Sequence, residues 1–323
     1  MRHLISVGDL TDQDCQSILD LGVRFAEDRA SGAGELRGLV TGIYFRKTST
    51  RTRTAFSAGA LRLGAEIVSF GPDDLQINTG ETMGDTGRVL SGMLDILVAR
   101  TAGTTAELRT LASQDRMAVV NGMSAAEHPT QALADMTTLL RHFGHIDGLR
   151  ILYAGEGNNT AAALALALTR FRRMELEFRT PPGYGLAADI RIQAAAQASQ
   201  YGSQFNERHS MEDVGGGFDV IYTTQWQTTG TTKADRNWRA IFAPFQVRPE
   251  LWRDSPRAVF LHDLPAHRGQ EVTAEVLDGP HSLAFRQAEN KLYSAMAVLT
   301  WCHQPAFPLA SQLRSASDGE RPR

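Results

Sequence analysis

Short apolar runs recur along this chain, each closed by a polar cluster and followed by a stretch with helical spacing. Residues 9 to 30 predict a capped helix, with an Asp/Thr start followed by apolar positions three and four apart. Gly38 to Phe45 (GLVTGIYF) predicts a buried strand, and residues 54 to 63 a helix. Ala65 to Phe70 predicts a strand, Asp85 to Leu94 a helix, and Asp95 to Arg100 a strand ending on an arginine. Arg116 to Asn121 predicts a further strand and Thr130 to Phe143 a long helix. Strand and helix in alternation define an α/β domain with a parallel sheet.

The alternation starts again near Gly148. Leu149 to Ala154 predicts a strand, GEGNNT its turn, and the alanine-rich run at 161 to 170 a closely packing helix. Met174 to Phe178, a helix at 186 to 200, Val220 to Thr224 and Ala258 to His262 continue it. An apolar-periodic helix spans 286 to 304, and the Ser- and Arg-rich tail from 305 to 323 is expected to be disordered. A length of 323 residues accommodates two cores. The predicted fold is therefore two Rossmann-like α/β domains with parallel sheets facing across a cleft. Residues 1–145, completed by helix 286–304, form the first domain and 146–285 the second.

Composition narrows the function classes. A formal charge of -3 and a charged fraction of 21% supply no concentrated basic face, so nucleic acid is not an expected partner. No window approaches the twenty apolar residues of a membrane span, and the start MRHLISVGDL lacks a secretory pattern, so a cytoplasmic protein is expected. Cys15 and Cys302 make neither a disulfide framework nor a metal set, and the nine histidines are scattered. Neither a metal nor a cofactor is expected.

Candidate chemistry lies in the polar clusters. In open α/β sheets ligands bind beyond the carboxyl ends of strands. Those positions hold Ser49-Thr50-Arg51-Thr52-Arg53, Arg100, His128 to Gln131, Gly155 to Asn159, Thr224 to Gly230 and His262 to Arg268. Hydroxyls and guanidiniums at a helix start suit an anion, because free N–H groups and the helix dipole favour negative charge there. His128 and Gln131 offer an imidazole and an amide to a carbonyl and its amino group. GEGNN invites a dinucleotide reading, but Thr160 stands where the third glycine of the fingerprint is required.

These same residues carry a family likeness. STRTR at 49 to 53, HPTQ at 128 to 131, GEGNN at 155 to 159, LHDLPAHRG at 261 to 269 and AENKLYSAM at 288 to 296 resemble the aspartate/ornithine carbamoyltransferase family, the ornithine branch most. The resemblance implies carbamoyl phosphate bound by the first domain, a small amine acceptor bound by the second, and a homotrimer with shared sites. It implies that Ser49, Thr50, Arg51, Thr52 and Arg100 hold the phosphate and that His128 and Gln131 contact the carbamoyl group. Lys291 stands where the family usually has arginine, and Asn159 would reach the acceptor.

Two departures fall in the acceptor pocket. Ornithine enzymes resemble HCLP where this chain has His262-Asp263-Leu264-Pro265, and Asp-x-Trp-x-Ser-Met-Gly where it has Thr224-Gln225-Trp226-Gln227-Thr228-Thr229-Gly230. The acid that pairs with ornithine's ammonium groups is missing at 224, and a new one stands at 263. Asp263, Leu264, Thr224, Thr228 and Thr229 are therefore the expected acceptor contacts, with Asp263 orienting or deprotonating the amine. The rearrangement points to an amino-acid-like or diamine acceptor other than free ornithine. An authentic ornithine carbamoyltransferase is the alternative, and a silent anion-binding homologue a reading of another class.

Overall fold

The protein is described here from a computed structural model covering residues 1–228 and 231–304; the expectations for Thr229 and for the tail from 305 to 323 fall outside the described residues. The chain opens with α1 (Asp12–Glu27), started by Thr11 and Asp14 bonding each other's backbone N–H groups. It continues through β1 (Val40–Phe45), α2 (Arg51–Arg62), β2 (Glu66–Phe70), α3 (Met83–Leu90), β3 (Ile96–Arg100), α4 (Thr105–Leu111), β4 (Ala118–Asn121) and α5 (Pro129–Phe143). The second half runs β5 (Arg150–Ala154), α6 (Asn159–Leu168), β6 (Glu175–Arg179), α7 (Ala188–Tyr201), β7 (Gln204–Arg208) and β8 (Val220–Thr223). Two short helices, α8 (Trp238–Phe242) and α9 (Ala274–Leu277), flank β9 (Val259–His262), and α10 (Ala284–His303) ends the described chain.

Each half builds one wholly parallel sheet, in the orders β2-β1-β3-β4 and β7-β6-β5-β8-β9. This is the expected two-domain α/β fold. Helix α10 packs back on α1, α2 and α5 of the first domain, while α5 packs on α6 of the second. One apolar cluster runs without a break from Ile43 and Val98 in the first sheet, through Leu133 and Leu164, to Tyr153 and Tyr222 in the second. The halves thus share a core, which fixes the cleft between them.

Strand order reverses between β1 and β3 in one sheet and between β5 and β8 in the other. Connections diverge at such points and leave a crevice at the strand ends. The first crevice receives residues 49–52 and Arg100, and the second receives residues 158–160 and Thr224. Strand β7 and helix α4 were not legible from apolar pattern, because QFNER and TAELRTL carry too few large apolar residues.

Beyond β5, the Gly157 N–H donates to the Tyr184 carbonyl at 2.7 Å, so the loop after β6 lies directly on the turn. A Cβ at Gly157 would sit 2.2 Å from the Gly185 carbonyl carbon and the Leu186 nitrogen. That closeness leaves no room for a pyrophosphate at this turn, in line with the failed fingerprint. Gly157→Ala is expected to destabilise the fold by about 1–3 kcal/mol through overpacking against backbone. Denaturant unfolding measures it, and an unchanged midpoint would mean that the covering loop moves aside freely.

Candidate active site

A cavity of about 220 Å³ lies between the two sets of strand ends. From the first domain Ser49, Thr50, Arg51, Thr52, Arg100, His128 and Gln131 line it. Asn159, Thr224, Thr228, Asp263 and Leu264 line it from the second, and Lys291 reaches it from α10. Each of these residues was expected at the site from sequence, and Arg53 of the first cluster is not among them. Asp263 is the only carboxylate among the described residues that line it.

Helix α2 begins at Arg51 with no side-chain cap on its first turn, so its N-terminal N–H groups stay available at the cavity edge. Arg53 does not join them. Its guanidinium lies over the Phe45 ring at 5.5 Å and reaches the Phe70 carbonyl at 3.4 Å. The second guanidinium comes instead from Arg100 at the end of β3, which is buried, with Nε unpartnered. Burial first, then the nearby Arg51 charge, lowers the Arg100 pKa to about 10, with Asp263 opposing. Arg51 is lowered by burial and raised back in part by Asp263.

His128 precedes α5 and bonds through Nδ1 to the Thr130 hydroxyl at 3.2 Å. The tautomer with its proton on Nε2 is the one in which Thr130 donates, and the other tautomer reverses that bond. Burial, reinforced by Lys291, Arg100 and Arg51, holds the imidazole pKa well below its usual value, so the ring is a neutral donor. The Lys291 ammonium donates to Gln131 Oε1. Burial lowers the Lys291 pKa to about 8, with Asp135 and Asp263 opposing and Arg100 and Arg51 adding to the fall.

On the opposite wall, Asp263 Oδ2 accepts from the Thr160 hydroxyl and Oδ1 from the Thr224 hydroxyl, both at 2.9 Å. Each carboxylate oxygen keeps a lone pair for a further donor. The turn that presents it is held by the Leu264 N–H donating to His262 Nδ1 at 2.8 Å, with His262 Nε2 on buried Glu271 at 3.3 Å. Asn159 is engaged differently from the sequence expectation, because its amide NH2 donates to the Ser124 carbonyl at 2.9 Å. Its neighbour Asn158 caps α6 and donates to Thr228 at 3.2 Å.

Some residues at or behind the cavity carried no motif signal. Asp135 is fully buried behind Gln131. Glu156 accepts from Thr228 at 3.4 Å and pairs with Lys233, whose ammonium sits 4.6 Å from the Tyr184 ring and 4.7 Å from that of Phe242. The extra acid in GEGNN was the only sequence hint of that pair.

Paired guanidiniums, a free helix start, a neutral imidazole and a facing carboxylate between two parallel-sheet domains define an enzyme that transfers a group between a small anion and a second polar substrate. Family models place it further: residues 2–141 match the aspartate/ornithine carbamoyltransferase carbamoyl-P binding domain, and residues 147–302 the Asp/Orn binding domain. The chain belongs to the aspartate/ornithine carbamoyltransferase family, and it is a carbamoyltransferase. It is 38% identical over 302 residues to the ornithine carbamoyltransferase of Methanothermobacter thermautotrophicus, covering 93% of this chain and 98% of that one. It is 35% identical over 302 residues to that of Carboxydothermus hydrogenoformans, covering 93% and 96%. Among solved structures, the Pyrococcus furiosus ornithine carbamoyltransferase superposes with a TM-score of 0.87 at 36% identity, covering 93% of this chain and 96% of that one. The Thermus thermophilus enzyme gives 0.82 at 31% identity, covering 94% and 99%. Among the described residues no helix is long and apolar enough to cross a membrane.

Lys291 makes the cavity pH-sensitive, because it is charged below about pH 8 and loses that charge above it. Affinity for phosphonoacetamide, a stable methylene analogue of carbamoyl phosphate, is expected to fall about 10-fold or more as pH rises through that value. Calorimetric titration of the wild type and Lys291→Arg measures it. The arginine variant is expected to hold its affinity across the same range, and parallel profiles would remove Lys291 from the donor site.

Proposed function

We propose that this enzyme transfers the carbamoyl group of carbamoyl phosphate to the side-chain amine of ornithine, giving citrulline and phosphate. The observation that carries the acceptor is the bond between Thr224 and Asp263. Strands β8 and β9 pair with Thr223 beside His262, so residues 224 and 263 are neighbours across the sheet. The carboxylate missing at 224 is thus restored one hydrogen bond away, and the pocket retains an anionic partner for an ammonium group. The sequence reading gave more weight to an acceptor other than ornithine. That neighbourhood, together with relatives named as ornithine carbamoyltransferases, supports ornithine instead.

In the proposed reaction Ser49, Thr50, Arg51, Thr52 and Arg100 hold the phosphate, with Lys291 adding a charge below about pH 8. Gln131 accepts from the carbamoyl NH2. The neutral amine attacks the carbamoyl carbon, and negative charge gathering on the carbonyl oxygen is stabilised by His128 Nε2–H and Arg51. The C–O bond to phosphate then breaks. Asp263 holds the incoming amine, and the departing phosphate takes the proton, so no further base is required. Acceptor contacts besides Asp263 would come from Thr224, Thr228, Leu264 and Asn158. The assembly proposed with this reaction is the homotrimer the family implies.

A second reading, a diamino acid of different length, is favoured by the same displacement, because the carboxylate now faces the amine from a new direction. Product mass after incubation with ornithine, 2,4-diaminobutyrate, 2,3-diaminopropionate, lysine or putrescine distinguishes the two, after spontaneous loss of carbamoyl phosphate is subtracted. Citrulline at submillimolar ornithine is the expected result, and a product from another amine alone would replace ornithine. With the true acceptor, Asp263→Asn is expected to lower kcat/KM about 10- to 100-fold, the worth of one charge-assisted bond, while phosphonoacetamide binding persists. Loss of both together would dissociate Asp263 from the acceptor.

A further inference from the structure

Behind the donor wall lies a buried hydrogen-bond network that the reaction scheme does not use. Asp135, on the inner face of α5, accepts from Gln131 Nε2 at 2.7 Å and from Gln287 Nε2 at 2.6 Å on Oδ1. Its Oδ2 accepts from the Tyr222 hydroxyl at 2.9 Å. Gln287 is itself oriented, because the His262 N–H donates to its Oε1 at 2.8 Å and leaves its NH2 facing Asp135 and the Tyr222 hydroxyl. Asp135 and Tyr222 are fully buried, and Gln131 and Gln287 are each 1% exposed.

An amide side chain has two nearly isosteric orientations with opposite hydrogen-bond character. For Gln131 the surroundings permit one. Rotation by half a turn would set its oxygen against the Asp135 carboxylate and its NH2 against the Lys291 ammonium. In the observed orientation one N–H of the NH2 donates to Asp135, and Oε1 accepts from the Lys291 ammonium. A carbonyl oxygen has two lone pairs, so one remains for a donor in the cavity that Gln131 lines.

We infer that Asp135 is the positioning residue that fixes Gln131 as a hydrogen-bond acceptor, and so makes the site select an NH2-bearing carbamoyl donor over its methyl isostere, an acyl phosphate. The inference rests on Gln131 contacting the carbamoyl group. A carbamoyl NH2 donates to the free lone pair, whereas a methyl group leaves it buried and unpaired. Sites built around a hydrogen bond reject the analogue that lacks it, because the protein's own polar group is then stranded. Asp135 touches no substrate and acts only through Gln131.

Two stable ligands separate the effects: phosphonoacetamide and its methyl ketone, 2-oxopropylphosphonate, which differ only in NH2 against CH3. Calorimetric titration of the wild type is expected to favour the amide by about 10-fold or more. In Asp135→Ala that ratio is expected to collapse to about 3-fold or less, while the weaker Lys291 charge that follows loss of Asp135 lowers the affinity of both ligands alike. Asp135→Asn, which keeps an oxygen toward Gln131, is expected to retain most of the ratio. If Asp135→Ala does not fold, Tyr222→Phe removes one donor that steadies the same carboxylate, and about a 3-fold loss of ratio is expected. An unchanged ratio in folded Asp135→Ala, or in Tyr222→Phe when only that variant folds, overturns the role of Asp135. Equal affinities for the two ligands in the wild type would overturn the assignment of Gln131 as well.

Discussion

Arg51, Arg100 and Lys291 crowd positive charge into one buried cleft, and much of the surrounding structure follows from that crowding. Charges out of water lose hydration, and like charges in low dielectric repel strongly. Burial lowers the pKa values of all three groups and of His128 beside them, and repulsion by like charges adds to the fall for Arg100, Lys291 and His128. Among the described residues, Asp135 and Asp263 oppose the field at Lys291. An entering phosphoryl group relieves the repulsion, so the apo protein stores in the cleft some of the free energy that binding releases. Burial first, and then the same field, keeps His128 neutral, which suits an imidazole that donates without carrying a proton to the reaction.

Holding repelling charges together demands that they sit on elements unable to move apart. Arg51 opens α2, Arg100 ends β3, and Lys291 lies midway along α10. Helix α10 therefore belongs to the site as much as to the scaffold. Gln287 and Lys291 are four residues apart, one above the other on the same helical face. One meets Asp135 and the other Gln131, so a single buried face orders both the amide and its support. The packing of α10 on α1, α2 and α5 keeps that face in register with the cleft.

Local patterns in the chain were legible where chemistry and position coincide in a few residues. STRTR and HPTQ each sit at a strand exit or helix start, and apolar runs marked nearly every central strand. The central strands are buried on both faces, which makes them continuous apolar runs. Edge strand β7 alternates exposed and half-buried positions with one large apolar residue, and it escaped notice for that reason. Arg53 shows the limit within a motif: it is two residues from Arg51, but a helix turns successive side chains by about 100°, and its guanidinium faces Phe45. Asp135 was invisible for a different cause. Nothing near it in sequence distinguishes it from a surface acid on a helix, and its three partners lie 4, 87 and 152 residues away.

The two departures in the acceptor pocket looked independent in sequence, an acid lost at 224 and an acid gained 39 residues later. Parallel pairing of β8 and β9 makes them one event. With Thr223 set beside His262, the next residues emerge side by side at the strand ends, and their side chains bond to each other. Exchanging an acid and a neutral residue between such neighbours conserves the charge of the pocket while changing the direction from which it acts. Thr160 then becomes a partner of the carboxylate as well, because Asp263 projects toward the start of α6. Charge alone therefore argues for an ammonium-bearing acceptor, whereas reach and direction decide its length. Those are properties of a turn held by His262 and Glu271, residues that do not line the cavity.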